Sequence, residues 1–195
     1  MADPSRSQIL LIEPVPRQLD ALDPSLAHQL SVSFEQLSEA ADCVFVPRFF
    51  AVTDDDGSRD TWLSKPCERN RSRVFQFRTE STVLSNTKLL DALRKEEREQ
   101  LFICGFWLDD TVASTALELL MLGFNAHIII DLSLAYDRAQ RGPALDRCNQ
   151  YGVVPISFLS LLYEWLTHSD NDESRTSLIK LWEAQKDLER RGASA

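Results

Sequence analysis

The sequence predicts an α/β domain of three layers, a mostly parallel sheet flanked by helices, followed by a C-terminal amphipathic helix. Its length of 195 residues suits one such domain. Apolar runs of strand length alternate with segments of helical periodicity. One stretch, Leu101–Ile130, has the strand–helix–strand pattern that implies parallel strands. We therefore predict the domain over residues 1–168, and a polar hinge with the C-terminal helix over residues 169–195.

The first third of the chain predicts two strands and one helix. The apolar run Gln8–Pro14 is typical of a buried strand, which its closing prolines end. Leucine and phenylalanine at helical spacing predict a helix over Pro24–Ala41. A second strand is predicted over Cys43–Val52, with regular pairing stopping at Pro47. The polar stretch Asp54–Arg73 is long for a loop, and loops of that length are usually lids or disordered.

The rest of the chain continues the alternation of strands and helices. A short strand and a helix are predicted over Val74–Phe77 and Leu84–Arg98. The central unit consists of a strand at Leu101–Cys104, a turn at Gly105–Asp110 and a helix at Thr111–Leu122. The remaining predicted elements are a strand at Ala126–Ile130, a helix at Ala144–Tyr151, a strand at Val153–Ile156, a helix at Phe158–Leu166 and a helix at Arg175–Arg191.

Charge and composition narrow the possible partners. The net charge of −9 and the pI of about 4.8 disfavour binding to nucleic acid or to an anionic membrane. The polar start of the chain does not resemble a signal peptide, and no apolar run is long enough to span a bilayer, so we expect a cytoplasmic protein. The four cysteines are widely spaced and form no CxxC pair, which favours free thiols over a zinc site.

Ligands of open parallel sheets bind beyond the carboxyl ends of the strands. Glu13, Arg78 and the turn over residues 105–111 all follow predicted strands and are expected to converge on one pocket. Residues predicted to contact a bound ligand are Phe49, Trp107 and Asp110. Asp110 is also a good N-cap for the helix that follows the turn.

These segments resemble the isochorismatase-like cysteine hydrolases. QILLIEPVPRQL matches the family's first strand, with Glu13 at the position of its aspartate. FQFRTESTVL places Arg78 at the position of the family's lysine, which is arginine in some subgroups. LFICGFWLDDTVASTALELL matches the strand, turn and helix that carry the nucleophilic cysteine, and Thr111 stands at that position. The resemblance covers residues 8–165, is strongest over residues 101–137, and implies a hydrolase fold with homo-oligomeric assembly.

Two substitutions separate the chain from that pattern. Glu13 replaces the aspartate that acts as base, and Thr111 replaces the cysteine. A threonine hydroxyl is far less acidic than a thiol and needs a strong adjacent base. The family's metal pattern of Asp-x-His with a second histidine is absent, since the histidines at 28, 127 and 168 are scattered, so we predict no metal and no cofactor.

Three functions therefore remain open. The first is a catalytically impaired homologue that acts as a scaffold or partner subunit. The second is an active enzyme that uses Glu13 and Arg78 on a small carboxylate or amide. The third is a protein that binds a small molecule in the pocket that corresponds to the family's active site.

The C-terminal helix carries an apolar stripe, formed by Leu178, Leu181, Trp182 and Leu188. Because the helix follows a polar hinge, we expect the stripe to be buried against another subunit or a protein partner. Packing on its own domain is the alternative.

Overall fold

The computed structural model describes residues 1–54 and 72–192, which form a six-stranded sheet with helices on both faces. The strands are β1 Ser7–Ile12, β2 Arg48–Thr53, β3 Ser72–Phe77, β4 Gln100–Phe106, β5 Asn125–Leu134 and β6 Val154–Ile156. Their spatial order is β3-β2-β1-β4-β5-β6, and all five pairings are parallel. The predicted α/β class is confirmed.

Seven α-helices connect the strands within the described part of the chain. They are α1 Pro16–Asp20, α2 Pro24–Cys43, α3 Thr87–Lys95, α4 Ala113–Met121, α5 Arg141–Tyr151, α6 Phe158–Thr167 and α7 Asp172–Gly192. One core cluster lies between the sheet and α2, α6 and α7, and a second lies between the sheet and α3, α4 and α5. The helices thus form the two outer layers, and none of those described is both long and apolar enough to cross a membrane.

The central strands are apolar because both of their faces are covered. All six residues of β1 are buried, with Ile9 and Leu11 in one core cluster and Leu10 and Ile12 in the other. Alternate side chains of a strand point to opposite faces, so a continuous apolar run fills both layers.

Gly105 allows β1 and β4 to approach each other at their carboxyl ends. It pairs with Ile12, and a Cβ atom built at this position would lie 2.0 Å from the Ile12 carbonyl oxygen. Its φ of +126° also lies in a region that residues with a side chain rarely adopt. The residues that follow β1 and β4 therefore start close together, because the backbones of the two strands are closely packed where the strands end.

Several predicted boundaries were wrong. Helix α2 continues through Cys43, and the second strand begins only after Pro47. Pro47 does not stop the pairing, because it precedes the strand and its carbonyl oxygen accepts the Ile9 N–H at 3.0 Å. Strand β5 runs on to Leu134, which places Asp131 within the strand. Most of the predicted loop Asp54–Arg73, namely residues 55–71, lies outside the described residues.

The predicted partner interface of the C-terminal helix was also wrong for its two most buried residues. Leu178 and Leu181 lie in the core cluster that α7 shares with α2 and α6 of the same chain, while Trp182 and Leu188 are half-buried. Polar contacts fasten the start of the helix as well. The Ser174 hydroxyl donates to the Cys43 carbonyl at 2.7 Å, and the Arg175 guanidinium donates to the Leu166 carbonyl at 2.8 Å. Leu178 and Leu181, with Trp182 packed against the same cluster, therefore lie against their own domain.

Candidate functional site at the carboxyl edge of the sheet

Glu13 directly follows β1 and is buried. Its backbone has a φ of +53°, which is unusual for a residue with a side chain. The Thr53 N–H donates to Oε1 of the carboxylate, and the Arg17 guanidinium lies 3.2 Å from Oε2. Both carboxylate oxygens are therefore engaged by groups of the chain itself.

Arg17, at the second position of α1, was not singled out by the sequence analysis. Its Nη2 donates to Thr53 Oγ1 at 3.0 Å as well as to Glu13, so it joins the ends of β1 and β2. The four-residue spacing from Glu13 was the available signal, since such pairs meet on a helical turn. That signal was weak, because Glu13 itself precedes the helix.

Arg78 directly follows β3, the outermost strand on this side of the sheet. The residue is exposed, and its carbonyl oxygen accepts the Ser81 N–H at 2.9 Å. Among residues 1–54 and 72–192, its guanidinium has no ion pair or hydrogen bond. The Arg78 guanidinium is thus available to an anion that approaches the carboxyl ends of the strands.

Thr111 lies in a π-helical turn, Leu108–Val112, that precedes α4. It is half-buried, and its hydroxyl has no hydrogen bond to any described residue. The Ser114 hydroxyl donates to the carbonyl oxygens of Asp110 and Thr111, at 2.7 and 3.1 Å. No described side chain thus acts as a base on the Thr111 hydroxyl, which leaves it a weak nucleophile.

Glu13, Arg78 and Thr111 all follow strands at the carboxyl edge of the sheet. In the described part of the chain, no hydrogen bond or ion pair joins any two of them. Strands β1 and β4 are neighbours, whereas β2 separates β3 from β1. Their convergence on one pocket therefore remains a prediction.

The three predicted ligand contacts have different environments. Phe49 was misplaced: it is the second residue of β2, fully buried, and its ring packs on Phe75 near the amino end of the strand. The error follows from the misjudged start of β2. Asp110 is exposed and does not cap the helix, because the π-helical turn begins at Leu108 and has no side-chain cap. Trp107 is half-buried beside Tyr136, with ring centroids 5.4 Å apart.

Asp109 turns away from the start of the helix. Its carboxylate accepts the N–H groups of Tyr136 and Asp137 at 2.7 and 3.0 Å. Burial is the largest influence and opposes ionisation, but these hydrogen bonds outweigh it and hold the pKa of Asp109 below its ordinary value. The Asp109 carboxylate therefore stabilises the loop that follows β5.

Cys104 and Cys148 are two buried cysteines of the described chain. Burial, and secondarily the Asp131 carboxylate, raise the pKa of Cys104 far above its ordinary value. Burial also raises the pKa of Cys148, despite the nearby Arg147 cation. A thiol must ionise to act as a nucleophile, so burial disfavours this role for both groups.

Metal-ligand geometry is not found in the part of the chain that the structure describes. His127 stacks on Phe102, with ring centroids 4.7 Å apart. Burial lowers the pKa of His127 and so favours its neutral form, although Glu164 opposes the shift. This histidine is a packing residue of β5.

The fold defines an α/β protein with a six-stranded parallel sheet between two layers of helices. The chain belongs to the isochorismatase family, whose domain model matches residues 32–158. A comparison with curated protein sequences found no significant match.

Solved structures share the fold at low sequence identity. The YcaC gene product of Escherichia coli, described as an octameric hydrolase of unknown specificity, is 18% identical with a TM-score of 0.81, over 99% of this chain and 95% of that one. A MAR1 ribonuclease from Caenorhabditis elegans is 16% identical with a TM-score of 0.74, over 92% and 91%. A zinc-bound pyrazinamidase from Pyrococcus horikoshii is 14% identical with a TM-score of 0.65, over 78% and 99%. These similarities show the fold alone.

Proposed function

We propose that this protein is a catalytically impaired member of the isochorismatase family that acts as a binding or scaffold subunit of a homo-oligomer. The observation that carries the proposal is the pairing of the Glu13 carboxylate with Arg17 and the Thr53 N–H. Thr111, at the position where the family carries its cysteine, supports the same conclusion.

The chemical argument concerns proton transfer. A general base must be within hydrogen-bond reach of the proton that it removes. Glu13 already accepts hydrogen bonds at both oxygens, from Arg17 and from the Thr53 N–H, and neither donor is Thr111. A threonine hydroxyl needs a stronger base than a thiol does. Glu13 as the base and Thr111 as the nucleophile are therefore both poorly suited to the family's reaction.

Homo-oligomeric assembly is proposed from the family resemblance. The structural neighbour from Escherichia coli is described as octameric and aligns over nearly the whole of this chain. Because α7 packs on its own domain, its apolar stripe is no longer an argument for an interface. Sedimentation velocity of the full chain tests this part of the proposal, and a monomer at micromolar concentration would contradict it.

The test of impaired catalysis is an assay of the purified full chain with pyrazinamide, nicotinamide and a single-stranded RNA. These substrates follow the descriptions of proteins that share the fold. We expect no turnover above that of the double variant Glu13→Gln, Thr111→Ala. Hydrolysis that this double variant abolishes would show an active enzyme and would refute the proposal.

A second candidate is an enzyme that protonates or hydrolyses a small carboxylate substrate with Glu13 and Arg78. The exposed Arg78 guanidinium, which has no ion pair among the described residues, favours it. For that reaction Glu13 must leave Arg17 in order to carry a proton to the substrate. Activity on a vinyl-ether carboxylate that Arg78→Gln removes would establish this function instead.

A further inference from the structure

A concave pocket of about 600 Å³ lies at the carboxyl end of β5. The end of α1, the start of α2, Trp107 and the segment Ile130–Arg141 contribute its walls. Glu13, Arg78 and Thr111 do not line it. Strand β4 separates β5 from β1, so the two strands lie two strand spacings apart, about 10 Å.

The walls of the pocket are held in place by hydrogen bonds. The Arg141 guanidinium donates to the carbonyl oxygens of Ile130 and Ser133, at 2.7 and 2.8 Å. Asp131 accepts the N–H of Phe158, the first residue of α6, at 2.8 Å. With the hydrogen bonds of Asp109 to the loop after β5, these contacts preorganise the cavity, which reduces the entropic cost of binding.

The lining is apolar with an excess of positive charge. Leu22, Leu26 and Leu134 supply aliphatic surface, and Trp107 supplies an aromatic face. The charged residues that line the pocket are two arginines, Arg138 and Arg141, and a single acidic residue, Asp131. Burial, opposed by the Phe158 N–H, raises the pKa of Asp131.

Arg138 is the cation that remains available for a ligand. Arg141 is committed to two backbone carbonyls, whereas the exposed Arg138 has no ion pair or side-chain hydrogen bond to any described residue. A positive site in a protein with a net charge of −9 favours an organic anion over a cation.

We propose that this pocket, at the β5 end of the sheet, binds an aromatic monocarboxylate. The ring packs against Trp107 and the leucine side chains, and the carboxylate pairs with Arg138 at the rim. The volume lies within the usual range of small-molecule sites, about 300–1,000 Å³.

The test uses cinnamate and its uncharged analogue cinnamamide, titrated into the full chain by isothermal calorimetry. We expect cinnamate to bind about fivefold more tightly than cinnamamide, as one exposed ion pair predicts. Arg138→Gln should remove this preference. Arg147→Gln, an exposed arginine of α5 that does not line the pocket, should retain it.

Two further variants test whether the ligands bind in this pocket or beside Glu13 and Arg78. Leu22→Trp should fill the cavity and block both ligands, whereas Arg78→Gln should leave both affinities unchanged. The proposal is overturned if Arg138→Gln keeps the preference for the anion, or if Arg78→Gln removes it. It is also overturned if the wild-type protein binds neither compound at millimolar concentration.

Discussion

Arg17 Nη2 lies 3.2 Å from Glu13 Oε2 and also donates to Thr53 Oγ1 at 3.0 Å. The arginine is about half exposed, at 48%, whereas the Glu13 side chain is 7% exposed. Arg17 thus engages the carboxylate that the sequence predicts to stand at the position of the family's base. Under the proposed function, this pairing accounts for impaired catalysis more directly than the exchange of aspartate for glutamate does.

The first prediction concerns the strength of this pair. A double-mutant cycle of Glu13→Gln and Arg17→Gln, measured by urea unfolding, should give a coupling free energy of about 1 kcal/mol. Solvent screens the exposed side of the guanidinium and keeps the value small. The pair Asp187–Arg190, with both side chains mostly exposed, is the matched control and should give a coupling near zero. Equal coupling in the two pairs would contradict the structural role of Arg17.

A second prediction concerns Thr111. Treatment with iodoacetamide, followed by peptide mass mapping, should give no adduct at Thr111, because its hydroxyl has no base among the described residues. Thr111→Cys should become alkylated there, since the position is half-buried at the start of a helical segment. Thr115→Cys, at a buried position one turn further along, should stay unmodified. An adduct at Thr111 of the wild-type protein would reveal an activated hydroxyl.

The third prediction concerns pH. Hydrogen bonds from Tyr136 and Asp137 lower the pKa of Asp109 in the folded protein relative to its ordinary value of 3.8. The stabilisation is therefore fully present above pH 3.8 and is lost as the pH falls through the lower, folded-state pKa.

Asp109→Asn should accordingly cost about 1 kcal/mol at neutral pH, a value reduced by the partial exposure of the carboxylate. The difference from the wild-type protein should shrink as the pH falls below 3.8. Asp146→Asn, at an exposed position of α5, should follow the wild-type curve throughout. A difference that stays constant with pH would mean that the Asp109 charge does not brace the loop.

A fourth prediction tests the close approach of β1 and β4. Gly105→Ala should destabilise the protein by about 3 kcal/mol or more, because its Cβ would collide with the Ile12 carbonyl oxygen. Gly142→Ala has open space around the new Cβ and should change stability by less than about 1 kcal/mol, in the stabilising direction. Thermal unfolding of the two variants measures the contrast, and equal melting temperatures would rule out the steric explanation.

The fifth prediction concerns the C-terminal helix. Leu178→Ala should cost about 3 kcal/mol, because the side chain is fully buried against the same chain. Ile179→Ala, at a neighbouring position that is 40% exposed, should cost less than about 1 kcal/mol. Removal of α7 after His168 should unfold the domain. A shortened chain that remains folded would contradict this packing role, and one that also changes its oligomer size would restore the interface hypothesis.

The sequence predicted the three-layer fold because both faces of a parallel sheet must be apolar, a pattern that local runs such as that of β1 display. It also predicted which residues follow the strands, and so which side chains reach the carboxyl edge. It misplaced Phe49, because a proline can precede a strand as well as end one, and local pattern does not distinguish the two. The sequence likewise did not determine which surface the apolar stripe of α7 packs against, since periodicity identifies an apolar face and not what covers it.

The sequence by itself determined the α/β class and the order of the elements, and it predicts that Glu13, Arg78 and Thr111 stand at the positions of the family's catalytic residues. Only the tertiary structure decided that Arg17 and Thr53 occupy the Glu13 carboxylate and that α7 packs against α2 and α6. The physical reason is that chain order and apolar periodicity are local properties. The partner of a buried charge or of an apolar stripe depends on how distant segments meet in space.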